Sequence, residues 1–178
     1  MTEGRRFLDP DDRSFLAAAS ALIMANPFEV TRQQVAALVP ASALVAIGDS
    51  HPMNALLPSL IQRLDRLTQH HAGSLAQYAG DERQWLADAW LFCDYHRFVP
   101  EMDRSIEWEL AHPGQPATVS FAPEALTLLR EQGFGAAEAV RYFGLFYQLR
   151  RTYTLIDHAL TGPSPCMGAL RRALWNNV

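Results

Sequence analysis

The longest uninterrupted helical pattern, Ala136 to Leu160, constrains the fold more than any other feature of the sequence. At 3.6 residues per turn it forms two stripes. The first stripe is apolar and consists of Tyr142, Phe146, Leu149, Tyr153, Ile156 and Leu160. The second stripe is mixed and consists of Val140, Gly144, Tyr147, Arg151 and His158. Because apolar groups occur on both sides, the pattern predicts a central helix with neighbours on two faces.

Most of the remaining chain also has helical periodicity, with stop signals between the segments. The first predicted helix is Arg13–Ala25, with Asp11 or Asp12 as its cap, and the second begins at a Thr31–Gln34 capping box. The third, Met53–His70, has one apolar face formed by Leu56, Leu60, Leu64 and Leu67. The fourth runs from Asp81 or Glu82 to about Leu110, and the fifth is Phe121–Gln132. Pro100 is expected to kink or divide the fourth. Only Leu44–Asp49 looks extended, as a short strand or a buried loop. The predicted fold class is therefore an all-α bundle of six to eight helices with at most one short extended segment near residues 44–48.

Composition excludes several functions. All fifteen basic residues are arginine, so neither a Schiff-base lysine nor a phosphate-loop lysine can exist here. A net charge of −4, with basic residues clustered only in pairs, argues against direct nucleic-acid binding. Cys93 and Cys166 lack metal-type or redox spacing, which fits a reduced cytoplasm, and there is no signal-peptide or membrane-spanning pattern.

The adjacent pair Arg150–Arg151 is the first candidate binding site. A guanidinium group offers a rigid fork to carboxylates and phosphates, so an anionic ligand beside Tyr147 and His96 is one interpretation. The other is structural: one arginine pairs with a carboxylate while its neighbour is solvated. Candidate carboxylates are Glu101, Asp103 and Glu107.

Two other patterns carry less weight. Cys93 and His96 lie one turn apart and could ligate a metal or haem, but no third ligand has the required spacing. Gly48–His51 contains a serine beside a histidine, yet the strand–turn–helix context of a hydrolase is missing, so a turn with a helix cap is the better interpretation. The sequence therefore predicts no catalytic residues, no metal and no cofactor.

The segment Tyr147–Trp175 resembles a known family. An aromatic-Gln-aliphatic-Arg-Arg-x-aromatic helix, a Gly/Pro linker and a Leu-Arg-x-x-aliphatic-Trp helix are similar to the N-terminal regulatory region of bacterial sigma-54-dependent transcriptional activators. Asn26-Pro27-Phe28 is a weaker match. The sequence departs from the family pattern after the arginine pair, at Thr152–His158, and in the less charged helix that begins at Arg32.

The resemblance implies a non-catalytic sensor of 1–160, followed by a linker and helix, 161–178, leading to an AAA+ ATPase domain. The last helix is expected to continue to Val178 without a strong stop signal, as in a domain cut from a longer polypeptide. The Gly162–Pro165 joint is the expected two-state element. Contacts with the ATPase domain or a second copy are assigned to Leu170, Arg171, Leu174 and Trp175; the signal is an unidentified small molecule or protein.

Two rival hypotheses remain open. One is a self-contained ligand-binding bundle with a closed cavity near Tyr147, Arg151 and His96. The other is a helical metal or haem protein that uses His96 with Cys93.

Overall fold

The computed structural model describes residues 6–70, 72–115, 118–162 and 164–177. This part of the chain is all-helical and contains no strand, as the sequence predicts. The α-helices are α1 (Pro10–Ile23), α2 (Arg32–Ala36), α3 (Ala41–Ala46), α4 (Leu56–Gln69), α5 (Gly80–Ala111), α6 (Ala122–Glu131), α7 (Ala136–Ala159) and α8 (Pro165–Trp175). Short 3-10 helices cover Pro52–Ala55 and Leu75–Gln77.

The chain divides into two compact units, 1–93 and 94–178. The first contains α1 to α4 and the N-terminal part of α5. The second contains the rest of α5 with α6, α7 and α8. Each unit has its own buried apolar side chains, for example Leu16, Leu60 and Leu64 in the first and Met102, Leu129 and Phe146 in the second.

The cap of α1 differs from the prediction. Asp9, rather than Asp11 or Asp12, is the N-cap, and its carboxylate accepts hydrogen bonds from the backbone N–H groups of both those residues. Pro10 explains the shift, because proline has no N–H to satisfy and is favoured in the first helical turn. The hydrogen bonds from Asp12 and Asp11 lower the pKa of Asp9 against the opposing effect of its burial.

Asp12 is buried and lies instead at the centre of an ion-pair cluster between α1 and α4. Its Oδ1 accepts hydrogen bonds from Arg63 at 2.7 Å and from Arg66. Arg63 also pairs with Asp11 at 2.7 Å, and its guanidinium lies over the Phe15 ring. A buried carboxylate needs such partners because desolvation of an unpaired charge is costly.

Several other expectations for the first unit are confirmed and one is wrong. The Thr31–Gln34 capping box is present, and Leu56, Leu60, Leu64 and Leu67 are all buried on one face of α4. The predicted extended segment is wrong, since residues 41–46 form α3. Leu44 and Gly48 supply carbonyl oxygens to Arg32 at 2.6 and 2.7 Å, so this segment is held by a side chain rather than by strand pairing.

His51 joins two of the motifs noted in the sequence. Its Nδ1 accepts a hydrogen bond from the Met53 N–H at 3.3 Å, so the proton resides on Nε2, which donates to the Pro27 carbonyl at 2.7 Å. The Gly48–His51 turn thus caps a short 3-10 helix, as expected, and also anchors the Asn26–Phe28 turn. This histidine has a structural role.

In the second unit, α5 continues through Pro100, so the expected division of this helix does not occur. α6 has Pro123 in its first turn, and α7 forms one uninterrupted helix over Ala136–Ala159, both as predicted, although α5 is longer. α7 contacts the C-terminal part of α5 as well as α6 and α8. Phe146 and Ile156 of the apolar stripe are buried, whereas Val140 of the second stripe is 61% exposed.

We expect Asp12→Ala to lower the free energy of unfolding by about 2 kcal/mol, because hydrogen bonds to charged groups each contribute about 1.5–3 kcal/mol. Urea denaturation monitored by circular dichroism measures the change. Asp65→Ala removes an exposed carboxylate from α4 and serves as the control, with an expected change below about 0.5 kcal/mol. Equal losses in the two variants would contradict a specific role for the cluster.

Candidate functional site: the α7 arginines and the α7–α8 joint

The buried face of α7 packs on the C-terminal part of α5 through an aromatic and an ionic contact. The rings of Tyr95 and Phe146 meet edge to face, with centroids 5.9 Å apart. One turn further along α7, Arg150 forms a two-bond pair with Asp103, with Nε–Oδ1 at 2.5 Å and Nη2–Oδ2 at 2.7 Å. Such a fork fixes both the rotation and the register of α7 against α5.

The guanidinium of Arg150 is therefore already paired with a carboxylate of the same chain. The hydrogen bonds that it donates to Asp103 raise the pKa of its guanidinium despite partial burial, and the Tyr95 hydroxyl contributes in the same direction. Its guanidinium carbon lies 5.7 Å from the centroid of the Tyr153 ring. The sequence allows two interpretations of the arginine pair, anion binding and a structural ion pair, and Arg150 forms the structural ion pair. Asp103 is one of the three candidate carboxylates. Arg151 is exposed.

Tyr147 lies one turn before Arg151 on α7, and its hydroxyl is buried without a hydrogen-bond partner among the described residues. Burial and the neighbouring Glu109 carboxylate raise the pKa of Tyr147 to about 12, while Arg151 opposes the rise. The phenol therefore stays protonated near neutral pH and offers one O–H donor in a partly apolar site.

His96 is half-buried on α5, where its ring makes an edge-to-face contact with that of Tyr95 at 5.2 Å. Among the described residues, no group of three or more metal-type ligands includes His96 or Cys93. The described residues hold one group of carboxylates with such spacing, Asp9, Asp11 and Asp12, in which Asp12 is already neutralised by arginines.

An open cleft of about 410 Å³ lies in the second unit, away from the predicted ligand residues. It is lined by α5 and by the segment before α6, including Glu101, Arg104, Ser105, Trp108, Ser120 and Phe121. None of Tyr147, Arg150, Arg151 and His96 belongs to this lining. The tertiary structure thus separates this cleft from the arginine pair.

The joint between α7 and α8 is built around Arg171. Its Nε donates to the Leu160 carbonyl at 2.9 Å and its Nη2 to the Gly162 carbonyl at 2.5 Å. Leu160 is the C-cap of α7, where backbone carbonyls lack helical partners and attract a cation. Gly162 has φ +122°, a conformation that favours glycine. Arg171 therefore fastens α8 to the end of α7.

The two faces of α8 have different environments. Trp175 makes an edge-to-face contact with Tyr153 of α7 at 6.3 Å, and Arg171 lies on the same half-buried side. Leu170 and Leu174, on the other side, are 42% and 44% exposed. Of the four residues predicted to contact a partner, Arg171 and Trp175 bind α7, whereas Leu170 and Leu174 are partly exposed.

α8 also ends earlier than expected. It stops at Trp175, and the Asn176 N–H donates to the Arg172 carbonyl, so the expectation of a helix continuing to the last residue is wrong. Asn177 supplies the stop signal, since its side-chain amide donates to the Ala173 carbonyl at 2.7 Å. Its neighbour Val178 lies outside the described residues.

The sequence did not identify the roles of Arg171 as a helix-end cap or of Tyr95 as an Arg150 contact. Arginine near a Gly/Pro linker was a usable signal for the first, because the last carbonyls of a helix need donors. Nothing in the local sequence indicated the second, since residues 95 and 150 are brought together only by packing.

Comparisons with protein families, curated proteins and solved structures found no match to this chain. Among the described residues, no helix combines the length and the apolar character required to cross a lipid bilayer.

We expect Arg150→Met to lower the free energy of unfolding by about 2 kcal/mol, because it leaves Asp103 half-buried without its cation. Arg151→Met is the matched control on the adjacent, exposed position, with an expected change below about 0.5 kcal/mol. A double-mutant cycle with Asp103→Leu measures the coupling directly. Additive losses in that cycle would show that the pair contributes nothing beyond its separate side chains.

We expect Arg171→Met to loosen α8 without unfolding the rest of the second unit. The variant loses two hydrogen bonds from a charged group, which together stabilise the attachment by about 1.5 kcal/mol or more. We therefore expect the α8 amides to exchange at least about tenfold faster. Leu174→Ala, on the exposed side, is the control and should leave exchange unchanged. Equal acceleration in both variants, or none in Arg171→Met, would contradict the proposed fastening.

Proposed function

We propose that this chain is the N-terminal regulatory module of a bacterial sigma-54-dependent activator, without catalytic activity of its own. The family resemblance of Tyr147–Trp175 supports this assignment. In it, residues 161–178 lead to an AAA+ ATPase domain of the same polypeptide, and the module acts in the cytoplasm. No nucleic acid or membrane takes part in its direct contacts, and its signal is a small molecule or a protein.

The observation that carries the proposal is the asymmetry of α8. α8 contacts α7 through Arg171 and through the edge-to-face pair of Trp175 with Tyr153, whereas Leu170 and Leu174 are 42% and 44% exposed. A helix held by a few polar contacts can be released at low energetic cost, and an exposed leucine pair offers apolar area to a partner. Both properties suit a connector that changes between two positions.

The mechanism follows from this arrangement as a two-state equilibrium. In one state α8 is fastened to the C-terminal end of α7, and in the other it is released, with Gly162 absorbing the change in backbone direction. A signal that binds one state more tightly shifts the balance by its difference in affinity. The apolar side of α8, through Leu170 and Leu174, contacts either the ATPase domain or a second copy of the module.

The decisive experiment begins with the coding frame beyond Val178. We expect a Gly-rich phosphate loop within a few dozen codons. We further expect Arg171→Met in the resulting polypeptide to change its ATPase rate more than Arg130→Met, which alters an exposed arginine on α6. A stop codon directly after Val178, or ATPase activity in the isolated chain, would overturn the proposal.

The open cleft beside Trp108 favours a second candidate, a self-contained ligand-binding bundle. Glu101 accepts a hydrogen bond from Arg104 through Oε1, while its Oε2 is buried without a partner among the described residues. A small polar molecule with N–H or O–H donors would satisfy that oxygen. Thermal stabilisation of the wild-type protein by such a molecule, lost in Glu101→Gln, would favour this candidate.

A further inference from the structure

Asp94 and Gln132 are two buried polar side chains in the second unit that bind each other. They are 4% and 6% exposed, respectively. Gln132 follows the last residue of α6, and its side-chain Nε2 donates a hydrogen bond to Asp94 Oδ1 on α5 at 3.1 Å. This single bond joins the C-terminal end of α6 to the middle of the longest helix.

The other oxygen of each group is unsatisfied. Asp94 Oδ2 and Gln132 Oε1 are both buried and have no hydrogen-bond partner among the described residues. Neither can satisfy the other while Asp94 is ionised, because a carboxylate oxygen and an amide oxygen are both acceptors. A proton on Oδ2 would supply the missing donor. The neutral acid and the amide could then close a pair of two parallel hydrogen bonds.

The environment of Asp94 favours that proton. Burial raises the pKa of Asp94 from 3.8 to about 6, although the hydrogen bond from Gln132 and the charge of Arg97 act in the opposite direction. Arg97 is shared with Glu124 of α6 at 2.7 Å. The other charged groups on α6 and α7 near this end are exposed or engaged by neighbouring groups: Arg130, Glu131, Glu138 and Arg141.

Gln132 belongs to the turn that sets the direction of α7. The Gly133 N–H donates to the Arg130 carbonyl at 3.0 Å and the Phe134 N–H to the Leu129 carbonyl at 3.1 Å, which together form a Schellman motif. Gly133 has φ +98°, as this motif requires of its glycine. Phe134 and Leu129 are buried beside it. Whatever holds Gln132 therefore also holds the start of α7.

We propose that Asp94 and Gln132 form a proton-operated latch. In acid, the neutral carboxyl group of Asp94 closes a two-bond pair with the Gln132 amide and fixes the α6–α7 turn on α5. When Asp94 ionises, one bond remains, a buried charge is left incompletely paired and the turn opens more often. The latch is a property of the second unit and does not depend on the presence of an ATPase domain.

The sign of the pH dependence follows from linkage. Asp94 binds its proton more tightly in the folded protein than in the opened one, so its own contribution to stability is highest below pH 3.8 and falls as the pH rises towards 6. Above pH 6 the contribution of Asp94 no longer changes. Ordinary ion-paired carboxylates act in the opposite sense, since their pairing is lost in acid.

The first test uses the unmodified full chain. Carbon-13 NMR of the Asp94 side chain is expected to show a midpoint near pH 6. The protection factors of the Gly133 and Phe134 amides, corrected for intrinsic exchange, are expected to fall by about 25-fold between pH 4.5 and 7.5, given a shift of the pKa from 3.8 to about 6. A midpoint near pH 4, or protection independent of pH, would overturn the latch.

Two variants isolate the pair. Asp94→Asn places an amide against an amide, which can form two N–H···O bonds at every pH, so protection should become independent of pH and exceed the wild-type value at pH 7.5. Glu131→Gln neutralises the neighbouring exposed carboxylate and should retain the wild-type pH profile. An unchanged pH profile in Asp94→Asn would contradict the proposal. If that variant does not fold, the NMR titration of the unmodified chain decides.

Discussion

The pairing of Arg150 with Asp103 is the constraint on which the second unit depends most. A guanidinium on the inner side of a helix requires a carboxylate, because desolvation of an unpaired charge costs several kcal/mol. The two-bond geometry then allows only one rotation of α7 against α5. That rotation buries Phe146 and Ile156 and leaves Val140 in solvent.

The position of α8 follows from the same packing. With α7 oriented in this way, Tyr153 and the carbonyl of Leu160 lie where Trp175 and Arg171 can reach them. Leu170 and Leu174 of α8 remain 42% and 44% exposed in this arrangement. A charged residue that caps a neighbouring helix is a weaker attachment than a buried apolar face, and this difference underlies the proposed movement of the connector.

Buried polar pairs recur in both units and serve different purposes. Asp12 is compensated by two arginines, and the Ser20 hydroxyl donates to Asp88 at 2.6 Å, so each acid has a charged or hydroxyl partner. The described hydrogen-bond partner of Asp94 is an amide. An arginine stabilises the ionised acid, whereas an amide can also pair with the neutral acid, so the Asp94 pair is suited to respond to protons near pH 6.

The amino-acid sequence by itself determined the helical class, the leucine face of α4, the Thr31 capping box and the long helix α7, because these depend on periodicity and on contacts within a few residues. Tertiary structure decided which face of α7 is buried, that Asp103 binds Arg150 and that Arg171 caps α7. It also decided that residues 41–46 form a helix, stabilised by Arg32, and that Asp94 meets Gln132. These outcomes join residues distant in the chain, whose proximity depends on how helices pack rather than on any local pattern.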